Sequence, residues 1–448
     1  MKEVFDMNQA RAILLFENEN QRCVVASAAR ISTGEGTAME IFSRAGNPEK
    51  DGKLIKKVLS SGHKSILEHQ FFSIAFNDVS VLAEQFMIEH RLASYTVKSR
   101  RYVNYSGAGY LVPTGLPENQ LSAYRSGMDR LFALYDRLCA AGVPREDARF
   151  ILPYSFRSNF YMTLNGRELV RLIGEMCCGR AANQPELKRL GEQMKEQVEK
   201  LYPGVIAAET AHMPPCALPK RNITPAAGGP VTGEGRLLAL SEDCREALSQ
   251  AMAFSGRFAP VNGTCLTREN LQALTGDQRP RELEFIHARF LIRNVSLASV
   301  THFTRHRMQS LLVPEVSRAL EPGNYVLPET IQADPALRAL YEDAFRQQAA
   351  LARELLAAGL PVEEAGYLAL AGQVIDLMLE MNGRELLHFL KLRTCSRAQW
   401  EIRALAEEML AHLQKACPEI FRDFGPSCLV EGRCPEGRLS CGKPRTRQ

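Results

Sequence analysis

Three adjacent residues, Arg305-His306-Arg307, followed by Ser310, Glu315, Ser317 and Arg318, gather cationic, titratable and hydroxyl groups in a chain of 448 residues. An upstream run has related content: His90-Arg91, then Ser94, Ser99, Arg100, Arg101 and Tyr102. Guanidinium groups offer paired donors in a fixed fork that matches phosphate oxygens, and hydroxyls complete such a shell. These residue types therefore suit a polyanionic ligand. A solvated charged helix end would use the same types, but the repetition favours the ligand. A third group, Asn382, Arg384, His388 and Arg393, lies near multiples of a helical turn, with 384 and 388 on one face and 393 further along. An arginine held beside a uracil-like ring would polarise a carbonyl and stabilise developing negative charge. Surface pairing of these arginines with Glu385 or Glu401 is the plainer alternative.

The elements that must position these groups come in duplicate. Ala141-Gly142-Val143-Pro144, Glu146 and Ala148 lead to Asn165-Gly166-Arg167-Glu168-Leu169. Ala358-Gly359-Leu360-Pro361, Glu363 and Ala365 lead to Asn382-Gly383-Arg384-Glu385-Leu386. Both pairs are offset by 217 residues (141 to 358, 165 to 382), and the two histidines, 90 and 306, by 216. Two dissimilar motifs repeated in order at nearly one period indicate a duplicated domain. Proline and glycine cluster between 213 and 234, which predicts a linker there and copies spanning 1–222 and 223–448.

Each copy predicts the same layout. In the first, residues 71–76 form a strand, Asn77-Asp78 a turn, and Val81 to Leu92 a helix capped by Ser80 that delivers His90 and Arg91 at its end. In the second, 288–292 is the strand and 296–307 the helix carrying the three basic residues. Residues 119–140 and 336–358 predict amphipathic helices, and each copy closes on another, 167–176 and 384–409 with an interruption near Thr394. The fold class is α+β and helix-rich. Apolar stripes at helical spacing are read as core.

Composition narrows the function. Hydrophobic content of 45%, charged content of 24% and net charge of +4 describe a globular protein with only a mild basic excess. That balance, without interleaved aromatics, argues against a nucleic-acid-coating surface. The apolar run Ile13-Leu14-Leu15-Phe16 is too short for a signal peptide and no run spans a bilayer, so the expected setting is cytoplasmic, with no membrane partner. Neither a Walker spacing nor GxGxxG after a strand occurs, so any nucleotide is held by side chains. Of twelve cysteines, Cys417, Cys428, Cys434 and Cys441 fall in or near a Gly/Pro-rich tail of about 417–448. Lacking C-x-x-C pairs, the tail is expected to be unliganded, with no metal site. Met213-Pro214-Pro215-Cys216 superficially resembles the nucleophile turn of cysteine-dependent thymidylate synthases. It is followed by Ala217 instead of histidine, and only His212 could lower its pKa, so it is read as coincidence.

The motifs together resemble the flavin-dependent thymidylate synthases, whose signature is Arg-His-Arg, seven residues, then Ser, continuing through Arg-Tyr. The first copy has Glu89-His90-Arg91, Ser99 and Arg101-Tyr102. Its segments from Gly62 through His63 and Ser65 to His69, and Asp147-Ala148-Arg149-Phe150-Ile151-Leu152-Pro153, are also similar to family segments. The second copy keeps Arg305-His306-Arg307, the run from Asn382 to Arg393, and Ala398-Gln399-Trp400-Glu401-Ile402-Arg403. The resemblance covers nearly the whole chain, as two family-length copies of a fold with mixed helices and a small antiparallel sheet. It implies reductive methylation of dUMP to dTMP, with methylenetetrahydrofolate giving the carbon, NADPH reducing bound FAD, and no cysteine nucleophile. By resemblance Arg393 activates the pyrimidine. Ser99, Arg101, Arg149, Arg305, Glu315 and Ser317 match dUMP-binding positions. His63, Ser65, Arg305, His306, Arg307, Asn382, Arg384 and His388 match flavin contacts.

The departures are complementary. Copy one has Glu89 for the leading arginine, Val97 for a family glutamate and Met176 where copy two has Arg393. Copy two lacks the Gly-His-x-Ser segment, has Gly366 where copy one has Arg149, and carries two extra residues and Pro314 inside its motif. The expectation is a composite site, with nucleotide grip from copy one and flavin contacts plus the activating arginine from copy two. Family enzymes build their sites between subunits of a homotetramer, so two such chains would form a homodimeric pseudo-tetramer. Returning an arginine to position 176 should then change little. Two alternatives stay open: a diverged homologue that binds flavin or nucleotide without making dTMP, and, more remotely, a nucleic-acid binder using Lys98, Arg100, Arg101 and the Arg305 cluster.

Overall fold

The computed structural model describes residues 4–5, 9–15, 19–203, 206, 210 and 222–445. His212 and the Met213–Cys216 turn lie outside these, as does the linker segment 213–221. The chain divides into two compact units, Met1–Pro225 with Gln347–Ala369, and Ala226–Arg346 with Leu370–Gln448.

Each unit is built on a four-stranded antiparallel sheet of the same topology. In the first the order is Arg11–Leu14, Phe71–Ser80, Arg157–Asn165, Ala93–Val97. In the second it is Glu234–Leu240, His287–Ser296, Val374–Asn382, Gln309–Leu312. The long strand of each sheet feeds a short helix, Val81–Ile88 or Leu297–Thr304. The third strand of each feeds a longer one, Gly166–Cys177 or Gly383–Arg393, capped by Asn165 or Asn382. A core of Phe76, Phe160, Met162, Leu172, Ile173, Met176 and Leu190 fills the first unit. Phe290, Ile292, Phe303, Leu377, Leu386, Phe389, Leu390, Ile402 and Met409 are buried in the second.

The turn expected at Asn77-Asp78 is a β-bulge. The strand runs from Phe71 to Ser80, with a register shift between Phe76 and Val79 and Asp78 at φ +57°. Copy two bulges at the matching place, with Asn294 at φ +51°, so its strand also outruns the expected 288–292. Asp and Asn tolerate the left-handed region better than other non-glycine residues. Each freed N–H is satisfied from the neighbouring strand: Asp78 N–H donates to Asn159 Oδ1 at 3.0 Å, and Asn294 N–H to Asp376 Oδ1 at 2.9 Å. Turn-forming residues supplied the signal, and pairing across the sheet turned it into a bulge.

The helices after these strands are shorter than expected. Each begins with a serine clamped by a distant, buried glutamate. Ser80 N–H and Oγ–H donate to Glu186 at 2.7 and 2.5 Å, and Ser296 N–H and Oγ–H to Glu401 at 2.7 and 2.6 Å. Each ends at 88 or 304, so the histidine and following arginine stand beyond the last turn. Where the chain leaves, an edge-strand side chain adds a donor to carbonyls of the closing turn. Gln309 Nε2 donates to Phe303 O at 2.6 Å and His306 O at 2.9 Å. In copy one the Tyr95 hydroxyl sits 2.7 Å from Met87 O and 2.6 Å from His90 O.

Gly166 and Gly383 start the longer helices against the preceding 3-10 turns. A Cβ at Gly166 would stand 2.9 Å from Leu67 O, and one at Gly383 2.7 Å from Leu283 O. Only glycine allows that approach. Among the described residues no helix is long and apolar enough to cross a membrane.

Candidate active site

In the second unit, the close of one short helix and the length of another converge on His306. Its ring is 1% exposed and lies edge-on to Phe389 at 4.9 Å and to His388 at 5.4 Å. Arg393, half-buried in the last turn of Gly383–Arg393, donates Nε–H to His306 Nε2 at 3.0 Å. His306 Nδ1 lies 3.1 Å from Glu385 Oε1. Burial first, then the charges of Arg393, His388 and Arg305, push the imidazole pKa down to about 2, so the ring is neutral at pH 7. An arginine Nε is always a donor, so Nε2 is the acceptor and the single ring proton resides on Nδ1, donated to Glu385.

Around this core the charge is positive. Arg305, Arg307 and His388 are exposed, and Arg384 pairs with Glu284 at 2.6 Å. Glu385 and Glu401, weighed as plain surface partners for these arginines, are both buried. Glu385 faces His306, Glu401 is the serine clamp, and Arg384 takes Glu284. This donor set fits an anionic, phosphate-bearing cofactor. Atoms of His306, Glu385 and His388 lie within 4.8 Å of one another, a spacing a metal could span. Both His306 nitrogens are already engaged, however, and a guanidinium abuts one of them, so this set suits a cation poorly. Glu315 is exposed at the head of the turn Val316–Leu320 and Ser317 is buried within it. Among the described residues, neither shares a hydrogen bond or ion pair with His306.

The first unit gathers the residues expected to grip a nucleotide. Arg101 Nε donates to Glu146 Oε2 at 2.6 Å, Arg149 Nε to Glu146 O at 3.1 Å, and Arg101 N–H to Ser99 Oγ at 3.3 Å. Arg149 is 4% exposed. Beneath them a buried Glu84 holds Arg100 and Ser158. Burial raises the Tyr105 pKa to about 12, so its hydroxyl stays protonated. His63 and Ser65 are exposed at the turn Lys64–His69.

Where copy two has its His306 group, copy one has an ion-pair network. Both Nη atoms of Arg180 donate to Glu89 Oε2 at 3.0 Å, and its guanidinium stacks 4.5 Å over Phe86. Glu175 meets Arg180 at 3.4 Å, Arg171 at 3.6 Å and His90 Nε2 at 3.7 Å. Burial lowers the His90 pKa to about 4 and, as the leading cause, raises that of Glu89. Met176, the counterpart of Arg393, is fully buried in the core. An arginine there would be a buried charge, which corrects the expectation that it should change little.

Sequence reasoning missed Glu385, Glu146, Glu84 and Arg180. Glu385 had a local signal, the Asn-x-x-Glu capping spacing, but capping explains it without His306. The others pair across 16 to 91 residues of sequence. In the tail, Cys417 is buried as the cap of helix Trp400–Ala416, while Cys428 Sγ accepts the Arg445 N–H at 3.3 Å. Among the described residues the tail thiols form no group of three potential metal ligands.

Residues 14–204 and 238–419 each match the family described as thymidylate synthase complementing protein. A flavin-dependent thymidylate synthase of Geobacter sulfurreducens is 39% identical over 164 residues, covering 36% of this chain and 70% of that protein. One of Thermococcus onnurineus is 33% identical over 183 residues, covering 39% and 73%. A UMP/dUMP methylase, PolB, from Streptomyces cacaoi, solved with 5-Br dUMP, aligns with a TM-score of 0.40 at 26% identity, over 47% of this chain and 97% of that one.

Proposed function

The chain belongs to the thymidylate synthase complementing protein family, as two diverged tandem copies, and from that premise we propose that it methylates dUMP reductively to dTMP with a flavin cofactor. The names of its relatives support the reaction and the flavin. The observation that carries the assignment of roles is Arg393, half-buried and bonded through Nε to a buried, neutral histidine. A permanently charged guanidinium held in this way meets no protonation change at the moment of reaction, and stabilises charge developing on a pyrimidine oxygen.

Ser99, Arg101 and Arg149 hold the nucleotide; Glu146 links the two arginines and Arg101 N–H donates to Ser99 Oγ, which supports their acting together. Arg305, with Glu315 and Ser317, adds to that grip. Arg305, Arg307, Asn382, Arg384 and His388, with His63 and Ser65, would hold FAD, the buried His306 acting through Arg393 and not by contact, and the excess of cations suits its pyrophosphate. When bound, the flavin supplies the hydride that NADPH has given it, and methylenetetrahydrofolate supplies the carbon. The site is composite: copy one supplies the nucleotide grip and copy two the activating arginine. The ion pairs of Arg180 with Glu89 and Glu175, and the neutral His90 turned toward Glu175, support the view that copy one has no working flavin side of its own. Two chains pair as a pseudo-tetramer in the cytoplasm.

The test is spectroscopic. Purified protein should be yellow, with one flavin per chain, and its reduced flavin should be oxidised by methylenetetrahydrofolate in a dUMP-dependent way. A colourless protein, or one flavin per copy, overturns the proposal. Growth of a thymidine-requiring bacterium on the gene checks the product.

A further inference from the structure

We propose that Glu385 is a positioning residue that orients Arg393 by fixing the tautomer and rotation of His306. The proposal rests on the role assigned to Arg393 above. Three links carry it. Arg393 Nε–H to His306 Nε2, at 3.0 Å, requires a lone pair on Nε2. His306 Nδ1–H to Glu385 Oε1, at 3.1 Å, supplies a reason for the proton to stay on the other nitrogen. Glu385 is itself fixed: its N–H donates to Asn382 Oδ1 at 2.9 Å, and its side chain, 8% exposed, sits in the first helical turn where the helix dipole favours negative charge.

A neutral imidazole has two tautomers, and only one accepts from Arg393. Without the carboxylate, the Nε2–H form would point a proton at the guanidinium and break the link. The buried ring, wedged between Phe389 and His388, has no other described acceptor at Nδ1. Copy one shows the arrangement undone. Glu168 occupies the matching place and Asn165 still caps its N–H, but His90 turns Nε2 toward Glu175 and Met176 replaces the arginine.

The test uses the full chain with 15N-labelled histidine, the His306 signals being assigned by their loss in H306Q. Wild type should show a protonated Nδ1 and an unprotonated Nε2 at pH 7. E385Q, whose amide oxygen still accepts, should keep that pattern. E385A should populate the Nε2–H form, while E168A should match wild type. In turnover, E385A should lose on the order of ten- to a hundredfold in kcat, with KM for dUMP changed less, and E385Q should recover most of it. E385A with an unchanged tautomer and kcat within about twofold of wild type overturns the proposal. Should E385A fail to fold, the wild-type spectrum decides: an Nε2–H or charged His306 overturns it. If the wild type does not turn over dUMP, the assigned reaction fails, while the tautomer still decides whether Glu385 holds His306.

Discussion

Removing the Glu401 carboxylate should unfasten the start of the helix that leads to Arg305, and the size of the effect follows from the bonds lost. Glu401 is 4% exposed and accepts from Ser296 N at 2.7 Å, Ser296 Oγ at 2.6 Å and Ser299 Oγ at 2.7 Å. A net hydrogen bond to a charged acceptor contributes about 1.5–3 kcal/mol. Three sum to at most about 9 kcal/mol. Water entering the vacated space, and recovery of the carboxylate's desolvation penalty, offset about half of that, leaving about 4 kcal/mol for E401A. E401Q keeps one oxygen for the Ser296 N–H and turns an amide toward two hydroxyls able to accept, so losing only the charge assistance costs about 2 kcal/mol. The neighbouring Trp400 is the chain's single tryptophan, so its fluorescence reports unfolding at this spot. With a urea slope of about 2 kcal/mol/M, the midpoint should fall by about 2 M for E401A and about 1 M for E401Q. A shift below about 0.3 M for E401A, or the reverse order, would refute the account of the clamp.

Arg393→Ala and Arg149→Ala should each abolish dTMP formation; activity surviving R149A, measured by product release, would make copy one a scaffold only. Met176→Arg buries an uncompensated charge in the first core and should destabilise by more than about 3 kcal/mol, read from far-UV circular dichroism in urea. Gly383→Ala drives a Cβ to 2.6 Å from Ile286 Cγ1 and 2.7 Å from Leu283 O, so a loss of about 1–3 kcal/mol is expected in the Trp400 transition. His90 has a folded pKa of about 4 against an ordinary 6.5. Its contribution to stability is thus full above pH 6.5 and is lost as acid protonates the unfolded state, down to pH 4. His90→Asn should flatten the stability-against-pH curve across that window, and an unchanged slope would count against burial as the cause.

The duplication was legible because both motifs recur at nearly one offset, and the α+β layout followed from strand and helix periodicities that packing did not override. Helix ends were not legible. The signal at 304 is Gln309, whose amide reaches back to two carbonyls, and no local rule reads a glutamine five residues on as a stop. The Asn77-Asp78 turn was misread because the same residues serve turns and bulges, and only the partner strand, through Asn159, selects between them. At the candidate site the cations of the 305–307 and 384–393 runs were found from type and spacing, while Arg149 and His63 entered only through the family resemblance. Their acidic partners were not, because Glu385, Glu146 and Glu284 are ordinary surface residues until folding brings them to a specific arginine or histidine.

Tyr95 and Gln309 do the same job with unlike chemistry. A glutamine amide has two protons for the two carbonyls at 303 and 306, whereas a phenol must share one between 87 and 90. The demand comes from the backbone bend, and any side chain that reaches with a donor can meet it. Tyr95 faces Met162 and Gln309 faces Met381, different rungs of the two sheets, so an alignment by letters would not pair these residues, although one electrostatic requirement governs both. Removing either donor, as in Y95F or Q309A, would reveal a requirement that counting identities overlooks.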